Sequence, residues 1–472
     1  MKGVPGNVED DQPLPSTTPD VNLTGHFAVE ETQTFRHVPF AVPDGVRQIH
    51  LRVTYNDRID SSPLVSGGNT LDIGLFDQRG LATGGPGFRG WSGSSRSAIT
   101  IDADWATPPY RAEQLSAGEW HVLLKAYKVG TNGLDYAVAI WFNPDLPAPL
   151  PITLPATPPR RDAVSPALEP NWYRGDLHLH TIYSDGGAHP AQVAAAAAEA
   201  GLDFFGITDH NRAQSPRELA PQGHGWPVLV PGVEVTTYAG HFNVWGTDDW
   251  FDFRDPSEAG LRSAMEAAIA TGGLVSINHP KPFGPPWEYQ DLVPLAYGIE
   301  VWNGRWSRLN HVSTRFWDER LRRGERPVAL AGSDMHQLGL AGHPDDPLAP
   351  AKLGHPTLWL HAPDGLTTDS ILAALLAGQC FVSESPSGPQ LYLSRHGDDV
   401  VCRVGGGGGD ALVVVGNPGI VFAHPIADDD QEVRVTLSTL PTGLTYLRAE
   451  LHRAAGGIGA LTNPIWLDGV VR

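Results

Sequence analysis

Apolar and polar residues alternate one by one early in the chain, then give way to longer helical periods, then alternate again. Ile49, Leu51, Val53 and Tyr55 interleave with Gln48, His50, Arg52 and Thr54, the period-two pattern of a strand with one buried face. Further apolar runs at 71–76, 99–101, 120–124 and 136–141 are separated by turns rich in Gly, Ser, Pro and Asp. Short strands punctuated in this way predict an N-terminal β-sandwich or jelly roll over residues 20–148. Residues 149–170 then carry Pro149, Pro151, Pro155, Pro158, Pro159, Pro166 and Pro170. Proline at that density removes backbone donors and fixes φ, so this stretch is expected to be a stiff, extended linker.

From 171 to 384 the pattern changes. Short apolar runs at 173–179, 204–207, 228–235, 274–278, 299–303, 328–331 and 357–360 are interleaved with helical stretches. One begins at Pro190 and stops at Gly201, a second is capped by Ser257 and stops at Gly272-Gly273, and two more lie near 307–323 and 368–377. Such alternation predicts parallel βα units closing into a small or distorted (βα) barrel. Residues 385–472 return to β patterning, with candidate strands at 391–393, 400–404, 412–415, 433–437 and 446–451. The Gly405–Gly409 tract reads as a turn, because no helical pattern or lysine follows it. The expected fold class is multidomain, α/β plus β, with a barrel flanked by N- and C-terminal β-sandwich domains.

Composition narrows the partners. A chain of 472 residues has room for about two to four domains. Acidic residues outnumber basic ones 53 to 33, for a formal charge of -20. That surface repels nucleic-acid backbones and anionic membranes, so neither is expected as a general partner. Cys380 and Cys402 are the only cysteines; one disulfide is arithmetically possible, and a thiolate metal site is not. There is no signal-like N-terminal apolar run and no stretch near the roughly 18 apolar residues of a membrane span. The expected location is cytoplasmic; the oligomeric state is left open.

Histidine carries the chemistry. Twelve of the 19 histidines fall between 178 and 361, several directly after an expected strand, where barrel enzymes place functional side chains. His178 and His180 stand at i and i+2 and so share one face of a strand. Alone, such a pair is more often a satisfied or surface pair than a metal site. Here it is joined by Asp185 in the following loop, His210 in Thr208-Asp209-His210, Glu234 in Gly232-Val233-Glu234 and His241 in Ala239-Gly240-His241-Phe242-Asn243. His279 in Asn278-His279-Pro280 and Asp334 and His336 in Ser333-Asp334-Met335-His336 complete nine candidate ligands. Burying that many polar groups at one end of a barrel is costly unless cations satisfy them. Imidazole mixed with carboxylate suits zinc, manganese or iron.

The run Arg174-Gly175-Asp176-Leu177-His178-Leu179-His180-Thr181-Ile182-Tyr183-Ser184-Asp185-Gly186 resembles the opening motif of the PHP (polymerase and histidinol phosphatase) superfamily, and the later segments quoted above resemble its further motifs in order. The resemblance covers about 171–384; the Gly240-His241-Phe242-Asn243 run and the flanking β domains are similar to the carbaryl-hydrolase branch. It implies a distorted seven-stranded (βα) barrel holding two or three divalent transition metal ions (Zn, Mn or Fe). By resemblance His178, His180, Glu234 and Asp334 hold the first ion. Glu234 bridges to a second held by His241 and His279, and Asp185, His210 and His336 take the third.

The expected activity is metal-dependent hydrolysis of a small-molecule ester by an activated hydroxide. A phosphate mono-, di- or triester leads; a carboxylate ester or carbamate is the alternative. An alternative of another class is a carbohydrate- or surface-binding protein with a non-catalytic barrel. Glu234 and Asp334 are candidate catalytic groups, and Asp209 and Asp334 are positional candidates for the proton donor. Lys281 and Arg305 are candidates for a substrate anion. Trp302, with Trp287, Trp306 and Trp317, is a candidate for an apolar pocket, though buried tryptophans serve cores at least as often. His189 reads as a helix-start residue, and His311, His343, His355 and His361 as structural. The β domains are expected to cover barrel surface or shape the site mouth.

Overall fold

The computed structural model describes residues 14–467 apart from 62–64, 83–84, 145, 147–156, 162–163, 283–284 and 341–348. Much of the expected linker, and His343, lie outside the described residues. The N-terminal unit is a pair of four-stranded antiparallel sheets. One orders Val21–Phe27, Leu134–Phe142, Gln48–Tyr55 and Ala98–Asp102; the other orders Phe35–Val42, Gly118–Lys128, Thr70–Phe76 and Phe88–Gly93. The alternation at 48–55 does its expected work: Ile49, Leu51 and Val53 are buried with Leu71, Leu75, Val122 and Ile140 between the sheets.

The middle unit is built on nine strands: β1 (Trp172–Leu179), β2 (Phe204–Ile207), β3 (Val228–Thr237), β4 (Gly240–Trp245), β5 (Leu274–Ile277), β6 (Gly298–Asn303), β7 (Val328–Gly332), β8 (Thr357–His361) and β9 (Cys380–Ser383). Their order in the sheet is β7-β6-β5-β4-β3-β2-β1-β8-β9. Beyond β7 the chain returns to β1. The His178 carbonyl accepts from the Asp334 N–H at 2.9 Å, the His180 N–H donates to the Met335 carbonyl at 3.0 Å, and Leu179 bridges Met335 in parallel. Gly332 permits this approach, since a Cβ there would stand 2.3 Å from the His178 Cβ.

The distorted seven-stranded (βα) barrel expected from the pattern is corrected in its strand count and direction: β4 is an additional strand, antiparallel to both β3 and β5. The connector Tyr238-Ala239 is two residues long, which permits a hairpin and forbids a crossover helix. The four helices expected in this unit are present as α1 (Pro190–Glu199), α2 (Glu258–Ala270), α3 (Asn310–Arg322) and α4 (Thr368–Leu376). His189 caps α1, its ring accepting from the Ala191 N–H, as expected.

The sheet does not stop at residue 384. β9 pairs with Ile458–Thr462, and Tyr446–His452, Ala411–Gly416 and Gly419–Pro425 continue it; a three-stranded sheet of Gln390–His396, Asp399–Gly405 and Asp430–Thr436 covers a separate core of Leu391, Val404, Leu412 and Leu451. The N-terminal sandwich also packs directly on the middle unit. Phe76, Phe88, Trp91 and Leu123 share one apolar cluster with Phe242, Phe251 and Phe253. Cys380 and Cys402 are buried free thiols. Among the described residues no helix is long and apolar enough to cross a membrane.

Candidate metal centre

β1 delivers His178 and His180 on one face, as its period dictates, and both are buried. Asp176, two residues earlier on the same face, accepts from the backbone N–H groups of His178, Ser333 and Gly354, tying the ends of β1 and β7 together. After β1 the chain turns sharply so that Asp185 folds back. Asp209 holds that turn: it accepts from the Thr181 N–H (2.7 Å), the Thr181 hydroxyl (2.6 Å) and the Ser184 hydroxyl (2.7 Å). β3 brings in Glu234 and β4 brings in His241. His279 and Asp334 follow β5 and β7 with left-handed backbones (φ 27° and 56°), a conformation that costs a non-glycine residue energy and collects at functional sites.

All nine candidate ligands converge, with Glu234 at the centre. Its Oε2 lies 3.4 Å from His178 Nε2, 3.4 Å from His180 Nε2 and 2.8 Å from His210 Nδ1. Its Oε1 lies 3.1 Å from His241 Nδ1 and 3.5 Å from His279 Nε2. Asp334 Oδ1 is 3.0 Å from His180 Nε2 and 3.5 Å from His178 Nε2. On the other side Asp185 Oδ1 is 3.2 Å from His336 Nε2 and 3.5 Å from His210 Nε2. Ligand atoms lie within 4.8 Å of one another in three groups: His180, Asp185, His210 and His336; His178, His180 and Asp334; and His178, Glu234 and His279. This overlaps the expected three-way division without repeating it. His178 and His180 are each shared by two groups, and His241 reaches the cluster through Glu234.

The donor set fits cations. His178 Nε2, His180 Nε2 and Glu234 Oε2 are buried and, among the described residues, have no hydrogen-bond partner. Each such atom costs free energy if left bare, and a divalent ion is the one group that satisfies imidazole lone pairs and carboxylate oxygens together. Burial and the neighbouring His336 and His210 push the His180 imidazole down to about 3, so it is neutral and ready to donate a lone pair. Burial opposes ionisation of Glu234, yet His178, His210 and His241 hold its carboxyl well below the usual range. Burial likewise opposes a charge on His178, but Glu300, Glu234 and Asp334 hold it well above its ordinary value.

Residues outside the nine orient them, and these were not foreseen. Glu300 Oε1 sits 2.9 Å from His178 Nδ1. Asn278 donates to Glu234 Oε1 at 2.7 Å, and the Thr236 hydroxyl meets His210 Nδ1 at 2.5 Å. For Glu300 a signal existed: it is the sole charged residue inside the apolar run Ile299-Glu300-Val301-Trp302.

Three candidate roles are corrected. Lys281 is buried and its ammonium donates to the Asn303 carbonyl (3.0 Å) and to Asn310 Oδ1 (2.8 Å), so it braces the β6–α3 connection and does not reach a substrate. Burial pushes it down to about 7. Trp302 is buried with its indole N–H on the Gly304 carbonyl. Trp287 and Trp317 are also buried and bonded to the Tyr289 and Pro327 carbonyls, and all three belong to the core; Trp306 is half-buried and lines a cavity with His311, Thr314 and Ile458. Asp209 has its carboxylate engaged by the turn it holds, which points to a bracing role rather than proton donation. Arg305 is half-buried.

No family model matches the chain, and no curated protein matches it. Among solved structures, a two-domain Bacteroides vulgatus protein containing a predicted PHP-like metal-dependent phosphoesterase is similar at 18% identity, over 66% of this chain and 100% of that one, with a TM-score of 0.39. A Bifidobacterium adolescentis protein, named provisionally as a metal-dependent phosphoesterase, is similar at 16% identity over 43% of this chain and 95% of that one, with a TM-score of 0.27. Likenesses this low assign neither family nor chemistry, and neither supports the carbaryl-hydrolase branch.

Proposed function

We propose that this chain is a metal-dependent phosphoesterase whose di- or trinuclear centre is held by His178, His180, Asp185, His210, Glu234, His241, His279, Asp334 and His336. The observation that carries the reading is the single carboxylate of Glu234 within 3.5 Å of five imidazoles, with buried, unpartnered atoms facing one another. Bound ions would supply Lewis acidity toward the substrate and make water more acidic. The chain's own residues do the rest. Glu300 directs His178 Nε2 inward, Thr236 orients His210, Asn278 fixes the Glu234 carboxylate, and Asp209 holds the turn that presents Asp185.

Charge favours a phosphate ester over a neutral carbamate. Asp185, Glu234 and Asp334, with Glu300 behind His178, offset four of the six positive charges of three divalent ions, so a three-ion centre stays cationic and attracts an anion. Arg305 is the candidate for an additional anion contact. The carbamate reading leaned on the tryptophans and the flanking β domains, and Trp287, Trp302 and Trp317 are buried in the core. Parallel hydrolysis of aryl phosphate mono-, di- and triesters, an aryl carboxylate ester and 1-naphthyl methylcarbamate, each with a chelated control, tests the proposal. Chelator-sensitive turnover confined to phosphate esters supports it. Turnover of only the carboxylate ester or carbamate overturns it.

A further inference from the structure

The turn between β3 and β4 carries Tyr238, and its side chain leaves the middle unit to enter the N-terminal sandwich. Its hydroxyl donates to Asp72 Oδ2 at 2.6 Å. Its ring stacks on Tyr127 with centroids 4.6 Å apart and planes 10° apart. The Lys125 ammonium lies 3.7 Å from its centroid and 4.3 Å from that of Phe35. Asp72 and Lys125 are themselves buried, at 6% and 2% exposure. Burial pushes the Asp72 carboxyl up and the Lys125 ammonium down from their ordinary values.

Gluing two domains needs only apolar surface, and this interface has it in Trp91 and Phe253, 5.0 Å apart. Burying a carboxylate and an ammonium beside that surface costs free energy and adds something apolar contact lacks, which is direction. What the direction fixes is the hairpin. Its register places His241 opposite Thr236 and Asn243 opposite Glu234, so the turn gripped at Tyr238 sets the spacing of two ligands and of the hydroxyl that orients a third, His210. A second contact from the same unit reaches the opposite wall, where the Ser95 hydroxyl donates to the Ser184 carbonyl at 3.3 Å, next to Asp185.

We propose that Asp72, with Lys125 and Tyr127, is a positioning element of the metal centre: the N-terminal sandwich clamps the Tyr238 turn and thereby sets the affinity of the site for its ions. This rests on the metal-dependent reading above.

The test is calorimetric titration of Zn²⁺ or Mn²⁺ into metal-stripped full-length protein, with hydrolysis followed separately. Tyr238→Phe keeps the stacked ring and deletes only the hydroxyl. It is expected to weaken ion binding by about 10-fold or more, the usual scale for outer contacts of metal ligands. Asp72→Ala should do the same, and Asp72→Asn, which retains an acceptor oxygen, should recover part of the loss. A fold retained by circular dichroism together with wild-type ion affinity in Tyr238→Phe overturns the clamp. If Asp72→Ala fails to fold, Tyr238→Phe decides alone. Wild-type protein that binds ions but hydrolyses no ester sinks the phosphoesterase and leaves the clamp standing. Wild-type protein that binds no ion sinks both.

Discussion

Glu300 Oε1 lies 2.9 Å from His178 Nδ1, while Oε2 of the same carboxylate accepts from the His279 N–H at 3.2 Å and from Asn303 Nδ2 at 3.1 Å. One buried side chain thus sets the ring orientation of one candidate ligand and the backbone of another. A carboxylate on Nδ1 keeps the proton there and leaves Nε2 facing Glu234, the arrangement that raises the basicity of a ligating imidazole. Glu300→Gln is nearly isosteric, so shape is preserved while the charge is lost. Ion affinity measured by calorimetry should fall about 10- to 100-fold. Unchanged affinity in this variant would show that His178 does not depend on Glu300.

Glu234→Ala removes the carboxylate that lies within 3.5 Å of five of the imidazoles. Ion content by elemental analysis and turnover should fall together, and more severely than for any single outer residue. Near-normal stoichiometry in this variant would remove Glu234 from the bridging position.

Why the ligands were legible and their supports were not follows from where each sits. His178 and His180, or Asp334 and His336, are spaced at i and i+2 next to glycine and serine, a pattern visible along the chain without knowing what packs where. Glu300 and Asn278 meet His178 and Glu234 across 122 and 44 positions, and although the lone charge in an apolar run flags Glu300, no local pattern names the ligand it serves. The antiparallel strand β4 was hidden for a different reason: His241 reads as loop because Gly240 precedes it, yet a two-residue turn followed by Phe242, Val244 and Trp245 is itself a hairpin signal. Lys281 misled in the opposite direction. Lying two residues after a ligand, it looks like a substrate contact, but its buried ammonium serves the Asn303 carbonyl and Asn310.

Lys281→Met therefore separates stability from binding. Losing two hydrogen bonds from a buried donor that is only partly charged should cost about 2–4 kcal/mol of stability, at about 1–2 kcal/mol each, with the apolar stem retained. KM for an aryl phosphate should stay within a small factor of wild type. A large rise in KM without loss of stability by denaturant titration would return Lys281 to the substrate.

Removing the ions should destabilise the folded chain as well as silence it. Ligands that bind only the folded state add about 2.7 kcal/mol at a free concentration one hundred times Kd, and the cluster left behind holds unpartnered buried atoms. Thermal unfolding followed with and without chelator should show a lower midpoint in the chelated sample. A midpoint indifferent to chelator and to added Zn²⁺ or Mn²⁺ would count against any ion at this site.

Asp209 and Asp334 sit at strand ends on either side of β1 and looked alike as proton donors, but their surroundings assign them different work. Asp209 spends its carboxylate on Thr181 and Ser184, all within 2.7 Å. Asp334 faces His180 and His178. Asp209→Ala should therefore lower stability by about 2 kcal/mol or more, the loss expected when buried groups hydrogen-bonded to a carboxylate lose it. It should also weaken ion binding at the Asp185 side by loosening the turn that presents Asp185. Once saturated with ions, the same variant should keep the shape of the wild-type pH–rate profile, because a brace gives up no proton during turnover. Asp334→Ala should lose ion affinity outright, since that carboxylate faces the ligand imidazoles and holds no backbone turn. Loss of the basic limb of the profile in Asp209→Ala would mark Asp209 as the proton donor after all.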